Sequence, residues 1–257
     1  MDTASYLSRI GYRGSRRPTI AVLRRLHRQH LLSVPFENLD IHIGRPIILD
    51  QRLLYNKIVE KRRGGYCYEL NGCFAWLLKR LGFRVSMLSA RVARGQSFSP
   101  EFDHLTLLVR LKDRWLADVG FGDLFIEPIP IDKLGPKQDD GRVYRIVREG
   151  AKRILLRWNE KNYSWEPQYA FGLRPRKLAE FAARNRYQQT SPRSHFTRGR
   201  LISRLTREGR VTLTDRRLTL TGGKKRIEHS IRGRADFDRL LVDHFQMSPA
   251  TVTKIER

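Results

Sequence analysis

Apolar residues recur at helical spacing through the first third of the chain and switch to alternation near residue 84. Tyr6, Leu7 and Ile10 share one face of a short helix that Asp2 or Thr3 caps and Gly11 ends. Pro18 suits the first turn of a second helix, with Ile20, Leu23 and Leu26 opposite Arg24, Arg25 and Arg28. Ser33-Val34-Pro35 ends it, because the residue before proline is driven out of the helical region. Phe36-Glu37-Asn38-Leu39 reads as a loop, with Phe36 either a buried anchor or a pocket wall. Leu53, Ile58 and Val59 mark a third helix that runs toward Gly64-Gly65. Leu70, Cys73, Phe74, Leu77, Leu78 and Leu81 define a fourth, with Lys79 and Arg80 in its last turn and Gly82 as its stop.

Beyond Arg84 the period falls to two. Val85 to Val92 reads as a strand. In the next, Leu105, Leu107, Val109 and Leu111 line one face, and His104 and Thr106 the other. Lys112-Asp113-Arg114 is a turn, and Trp115 to Val119 a further strand ending at Gly120-Phe121-Gly122. Val143 to Val147 and Ile154 to Trp158 flank a hairpin at Glu149-Gly150, which makes the middle third a barrel or a strongly curved sheet. Pro175 opens another helix with Leu178 and Phe181 inward, followed by a polar loop from Gln189 to Phe196. Val211–Leu213, Leu218–Leu220 and Arg226–Ile231 form a meander broken at Gly222-Gly223. Phe237, Leu240, Leu241 and Phe245 give a closing helix, stopped before Ser248-Pro249. The pattern is a helical first third, a β middle and a mixed α/β tail.

Composition narrows the class. The 257 residues are 40% hydrophobic, enough for a sizeable core, and carry a net charge of +25. Such a charge attracts polyanions, but the basic residues are scattered, which favours a solvated basic surface over a dedicated nucleic-acid site. The two cysteines, Cys67 and Cys73, are poorly spaced for a disulfide and have no metal-ligand pattern around them, so neither a metal nor an oxidising compartment is expected. The N-terminus has no apolar signal segment, and no apolar run approaches the roughly 20 residues that span a membrane, so a soluble cytoplasmic protein is expected.

The candidate chemistry begins at Cys67, which follows two glycines and opens a helix, where unpaired backbone N–H groups and the helix dipole favour the nucleophilic thiolate. Cys73 lies on the apolar face of the same helix and reads as packing. A cysteine nucleophile needs a base, and the base needs an orienting group. His104 opens a strand and Asp118 closes the next one, with Asp103 and His195 as lesser candidates for acid and base. A simple hairpin centred on Lys112-Asp113 fails to bring His104 to Asp118. A two-residue loop sets Asp118 against Leu107, and a three-residue loop over residues 112–114 leaves the pair about four residues apart. A bulge, a bend or another strand order is required.

Five segments together resemble the arylamine N-acetyltransferases: Val34-Pro35-Phe36-Glu37-Asn38-Leu39, Arg63-Gly64-Gly65-Tyr66-Cys67-Tyr68-Glu69-Leu70-Asn71-Gly72, Asp103 to Val109, Asp118-Val119-Gly120-Phe121-Gly122, and Ser191 to Phe196. They occur in the family's order over roughly residues 6–200, and Leu70 departs from the glutamine frequent there. The resemblance implies an α+β architecture in three parts: a helical bundle (1–83) carrying the nucleophile, a β-barrel (84–172) carrying His and Asp, and an α/β lid (173–257). It implies a Cys67–His104–Asp118 triad and ping-pong acetyl transfer from acetyl-CoA, with no metal, to arylamines, hydrazines or N-hydroxyarylamines. It also implies that Phe36 and Phe121 line the acceptor pocket, while Gly120 and Gly122 let the chain pass close to CoA. Amide synthases that close macrolactams share the resemblance, and a Cys-His-Asp triad also serves papain-like peptidases and transglutaminases. A basic nucleic-acid-binding protein is the alternative from another class.

Overall fold

The computed structural model describes residues 1–133, 135–223 and 225–247. The first third is helical: α1 (Thr3–Arg9), α2 (Ile20–Ser33), α3 (Leu39–His42), α4 (Gln51–Tyr55) and α5 (Cys67–Arg80), with a wider π-turn over Asn56–Glu60 extending α4. The Asp2 carboxylate caps α1 by accepting the Ser5 N–H at 2.6 Å. The Thr19 hydroxyl caps α2 by accepting from Val22, so Pro18 lies before the cap and not in the first turn. Phe36–Glu37 is a short strand, β1, and not a loop.

The middle third is antiparallel sheet: β2 (Arg84–Arg94), β3 (Ser97–Phe98), β4 (His104–Arg110), β5 (Arg114–Ala117), β6 (Ile129–Pro130), β7 (Lys137–Asp139), β8 (Arg142–Glu149), β9 (Lys152–Asn159) and β10 (Ser164–Phe171). Their order is β6-β5-β4-β2-β10-β9-β8-β7, with β3 paired to β2, and the sheet curls into a nearly closed barrel. The strand β10 carries Glu166 and Pro167, which break the period of two. Pro167 is tolerated because the register with β9 shifts between Pro167 and Tyr169.

The last third begins with a 3₁₀ turn at Leu178–Phe181, three residues after Pro175, and α6 (Ala182–Thr190). The segment read as polar loop instead holds the end of α6 and a second 3₁₀ turn, His195–Thr197. Then come β11 (Leu201–Leu205), β12 (Arg210–Thr214), β13 (Arg217–Gly222), β14 (Lys225–Ser230) and α7 (Arg234–Phe245). The second sheet runs β1-β11-β12-β13-β14, so the N-terminal β1 supplies its first strand. The expected stop of the closing helix at Ser248-Pro249 lies outside the described residues.

β4 is buried on both faces, which is why it reads as a nearly continuous apolar run. Leu105, Leu107 and Val109 pack outward into one core with Phe74, Leu77 and Leu78 of α5. Leu108 points the other way, into the barrel, with Phe125, Tyr144, Leu155 and Phe171. His104 and Thr106 share the parity of Leu108 and face the barrel interior. A third core joins α7 to the second sheet and to Leu39. Among the described residues no helix is long and apolar enough to cross a membrane.

Candidate active site

The two N-terminal motifs are spatial neighbours. Phe36 forms a bridge with Gly65, and the Glu37 N–H donates to Gly65 O at 2.8 Å. A side chain at Gly64 would sit 2.1 Å from Pro35 O, so this approach of backbone to backbone demands glycine. Arg63 closes the contact with two bonds to one Glu37 oxygen, 2.8 and 3.1 Å, and one to Asp40 at 3.1 Å. Lys57 pairs with Asp40 and Glu69 at 2.9 and 2.7 Å, and the second Glu69 oxygen accepts the Tyr66 N–H. A buried network of two cations and three carboxylates thus braces the first turn of α5. Burial, joined by repulsion from Glu37 and Asp40, pushes the Glu69 carboxyl up to about 7 against the pull of Lys57.

The hairpin linking β4 to β5 resolves the geometric difficulty. Arg110 pairs with Arg114 and Leu107 with Ala117, so the turn is Leu111-Lys112-Asp113, one residue earlier than residues 112–114. Continuing that register sets Asp118 opposite Thr106 and diagonal to His104 on the same face, where two side chains reach each other. The Asp118 Oδ2 atom lies 2.6 Å from His104 Nε2. Its carboxylate also accepts from Tyr169 Oη at 3.0 Å, Asn71 Nδ2 at 2.8 Å and Gly120 N at 3.0 Å. Burial opposes its charge, but His104 and these donors outweigh burial and hold the carboxyl below its usual range.

His104 is 3% exposed. Burial disfavours its cation, yet Asp118 first and then a hydrogen bond and charge from Cys67 raise it to about 10. With Nε2 committed to Asp118, Nδ1 is the nitrogen left for Cys67. Cys67, His104 and the glycine turn after Asp118 all line one cleft of about 900 Å³. The structure therefore brings Cys67, His104 and Asp118 together. Asp103 instead turns to Arg94, Arg184 and Gln188, at 3.1, 2.6 and 2.6 Å. His195 sits on the cleft wall against Phe196, with Arg94, Asp103 and Arg198 as its charged neighbours.

Phe36 is both anchor and wall: it is 9% exposed, contacts Phe196 at 6.1 Å between centroids and lines the cleft. Phe121 stands edge-on to His104 at 5.3 Å. Gly122 lines the cleft beside Phe36, and Gly120 has a further constraint, since a Cβ there would lie 2.7 Å from Cys67 Cα. Arg94, Arg142, Arg193, Arg198, Arg210 and Arg226 also line it, against Asp103 and Asp123. The cleft field therefore favours an anionic ligand. Cys73 is fully buried beside Tyr6, and burial raises its thiol. Among the described residues no group of three His, Cys, Asp or Glu is placed to hold a metal.

Sequence reasoning missed Asn71, Tyr169 and His27. Asn71 is signalled only by being a polar residue four positions beyond Cys67 on the buried side of an apolar helix. Tyr169 lies on the strand whose period Pro167 obscures. His27 sits on the inward face of α2 among leucines, where spacing gives no hint of its partners.

This fold and cleft match proteins that transfer acetyl groups to nitrogen: residues 19–251 fit the family model described as N-acetyltransferase. The chain is 36% identical over 228 residues to the arylamine N-acetyltransferase of Mycolicibacterium smegmatis, covering 86% of this chain and 82% of that protein. It is 37% identical over 202 residues to the Salmonella typhimurium arylamine N-acetyltransferase / N-hydroxyarylamine O-acetyltransferase, covering 77% and 71%. The solved structure of the Mycobacterium marinum arylamine N-acetyltransferase in complex with CoA superposes with a TM-score of 0.90 at 30% identity, over 99% of this chain and 97% of that one. The chain belongs to the arylamine N-acetyltransferase family. The resemblance carried by the five motifs is confirmed, as is the α+β architecture of helical bundle, barrel and lid.

Proposed function

We propose that the protein moves an acetyl group from acetyl-CoA to the nitrogen of an arylamine, a hydrazine or an N-hydroxyarylamine, through an acetyl-Cys67 intermediate. The observation that carries this reading is the His104–Asp118 pair at 2.6 Å, whose free ring nitrogen serves Cys67 in an aromatic, arginine-lined cleft. The imidazolium pairs with the Cys67 thiolate, and Sγ attacks the thioester carbonyl. Backbone N–H groups at the start of α5 stabilise the oxyanion. The intermediate collapses, the C–S bond to CoA breaks, and His104 supplies the proton that leaves with CoA. The acceptor nitrogen then attacks the acetyl carbonyl, His104 takes its proton, and the Cys67 thiolate departs.

Asp118 orients the ring and stabilises its cation. Phe36 and Phe121 offer flat apolar walls to a flat acceptor. The cleft arginines suit the CoA phosphates, and Gly120 and Gly122 keep that part of the wall free of side chains. The test is mass spectrometry after brief mixing with acetyl-CoA. One acetyl group on Cys67, absent in Cys67→Ala, is expected. No adduct, or an adduct on Cys73, overturns the mechanism. His104→Ala is expected to slow iodoacetamide labelling of Cys67 at neutral pH, since the ion pair is lost.

A further inference from the structure

His27 of α2 is fully buried, stacked on Phe125 at 5.7 Å and edge-on to Phe74 at 6.0 Å. Its Nδ1 lies 2.6 Å from Ile126 O, and its Nε2 lies 3.0 Å from Asp118 N. A carbonyl oxygen only accepts and an amide N–H only donates, so these partners determine the tautomer. Nδ1 carries the hydrogen and Nε2 accepts. A protonated ring would set an N–H against the Asp118 N–H.

The place where His27 bonds matters. The paired register of β4 and β5 ends at Leu107 and Ala117, so Asp118 is the first residue beyond the ladder. From there the chain turns through Gly120, Phe121 and Gly122, along the cleft, and reaches Ile126. His27 therefore bonds both ends of the cleft-lining loop, the residue that begins it and the residue that ends it. The Asp118 side chain is oriented by Asn71, Tyr169 and Gly120, but its backbone N–H answers to His27.

We propose that His27 is a positioning residue for acetyl transfer: its neutral ring clips the two ends of loop 118–126, setting the Asp118 carboxylate against His104 and Phe121 against the acceptor. This rests on the catalytic reading of Cys67, His104 and Asp118. The protein supports a neutral ring, since burial above all lowers His27 to about 4, against the raising effects of Ile126 and Asp118. The titratable groups facing the His104–Asp118 pair are Cys67 from α5, Tyr169 from β10 and His27 from α2. Lys137 acts on His27 from the barrel side.

His27→Phe keeps the stack on Phe125 and removes both hydrogen bonds. His27→Gln keeps an oxygen able to accept from Asp118. In the phenylalanine variant the Asp118 amide is expected to lose protection against hydrogen exchange, and kcat/KM at pH 7 to fall about tenfold, the scale of one lost buried hydrogen bond. Loosening Asp118 weakens its support of the His104 cation, so the alkaline limb of the kcat/KM profile shifts down by about one pH unit. The glutamine variant recovers most of both effects. A merely structural role lowers the amount of folded enzyme and leaves the limb where it is. The proposal is overturned if His27→Phe, or His27→Leu where the first does not fold, shows a wild-type limb or a protected Asp118 amide. Failure of the wild type to acetylate Cys67 overturns the catalytic reading itself, an outcome distinguishable because it appears without any substitution.

Discussion

Replacing Gly120 with alanine puts a methyl group where the backbone of the nucleophile already lies. The new carbon falls 2.7 Å from Cys67 Cα, 2.7 Å from Asn71 Nδ2 and 3.1 Å from Cys67 O. Carbon atoms pack comfortably at about 3.5 Å, so roughly 0.8 Å must be found. Asn71 cannot supply it without breaking its bonds to Leu105 O and Asp118 Oδ1, both under 2.9 Å. Cys67 can supply it only by moving the first residue of α5, which the buried ionic network holds. Overpacking of this kind costs about 1–3 kcal/mol, less the few tenths that alanine regains by stiffening the unfolded chain. The larger effect is on rate, because a displacement near 1 Å between nucleophile and base costs about 10²-fold.

Gly122→Ala is the matched control. Its backbone has φ +97°, which strains alanine, but the nearest atom is Phe36 Cγ at 3.7 Å. It should lose about 1–2 kcal/mol of stability while keeping acetyl transfer within about tenfold. The measurements are the rate of Cys67 acetylation by acetyl-CoA and the denaturant midpoint of each variant. Gly120→Ala acetylating within threefold of the wild type would refute the packing of this glycine against the nucleophile.

Asn71→Ala removes three hydrogen bonds of a fully buried side chain and orphans the Val119 N–H. A loss of about 3 kcal/mol in urea titrations and a fall in kcat/KM above tenfold are expected, and near-neutral behaviour contradicts the network. Glu69 has a folded pKa raised to about 7 from 4.5, so its contribution to stability is present below pH 4.5 and is lost as pH rises through 7. Glu69→Gln should flatten the stability slope between pH 5 and 7, by up to about 3 kcal/mol, and an unchanged slope in denaturant midpoints assigns the effect elsewhere. Cys73→Ala should cost about 1–2 kcal/mol in thermal or urea unfolding and leave Cys67 acetylation intact, and loss of acetylation would mean that the second cysteine has a chemical part.

Local patterning carried much of the fold. The helices of the first third show a 3.6 period because each buries one face, and Asp2, Lys79 and Arg80 mark their ends. Cys67 was legible because glycines before it and an apolar face after it mark a helix start. Some elements escaped, for separate physical reasons. β1 is two residues long and shows no period. β10 hides behind a bulged proline. Leu201–Leu205 became a strand only by pairing with β1 and with Arg210–Thr214.

The sequence by itself determined the residue types of the site, the helix that presents Cys67, the alternation that faces His104 away from the aliphatics, and the family. Tertiary structure alone decided which carboxylate meets His104. A shift of one residue in a strand register moves every side chain to the other face. Here the turn at Leu111-Lys112-Asp113 puts Asp118 on the face of His104, while Asp103, its chain neighbour, is claimed by Arg94, Arg184 and Gln188. Asn71, Tyr169 and His27 converge on Asp118 from α5, β10 and α2, over separations of 47, 51 and 91 residues. No local pattern encodes such a meeting, because each of these residues obeys its own element, and only the packing of the three elements sets their distance.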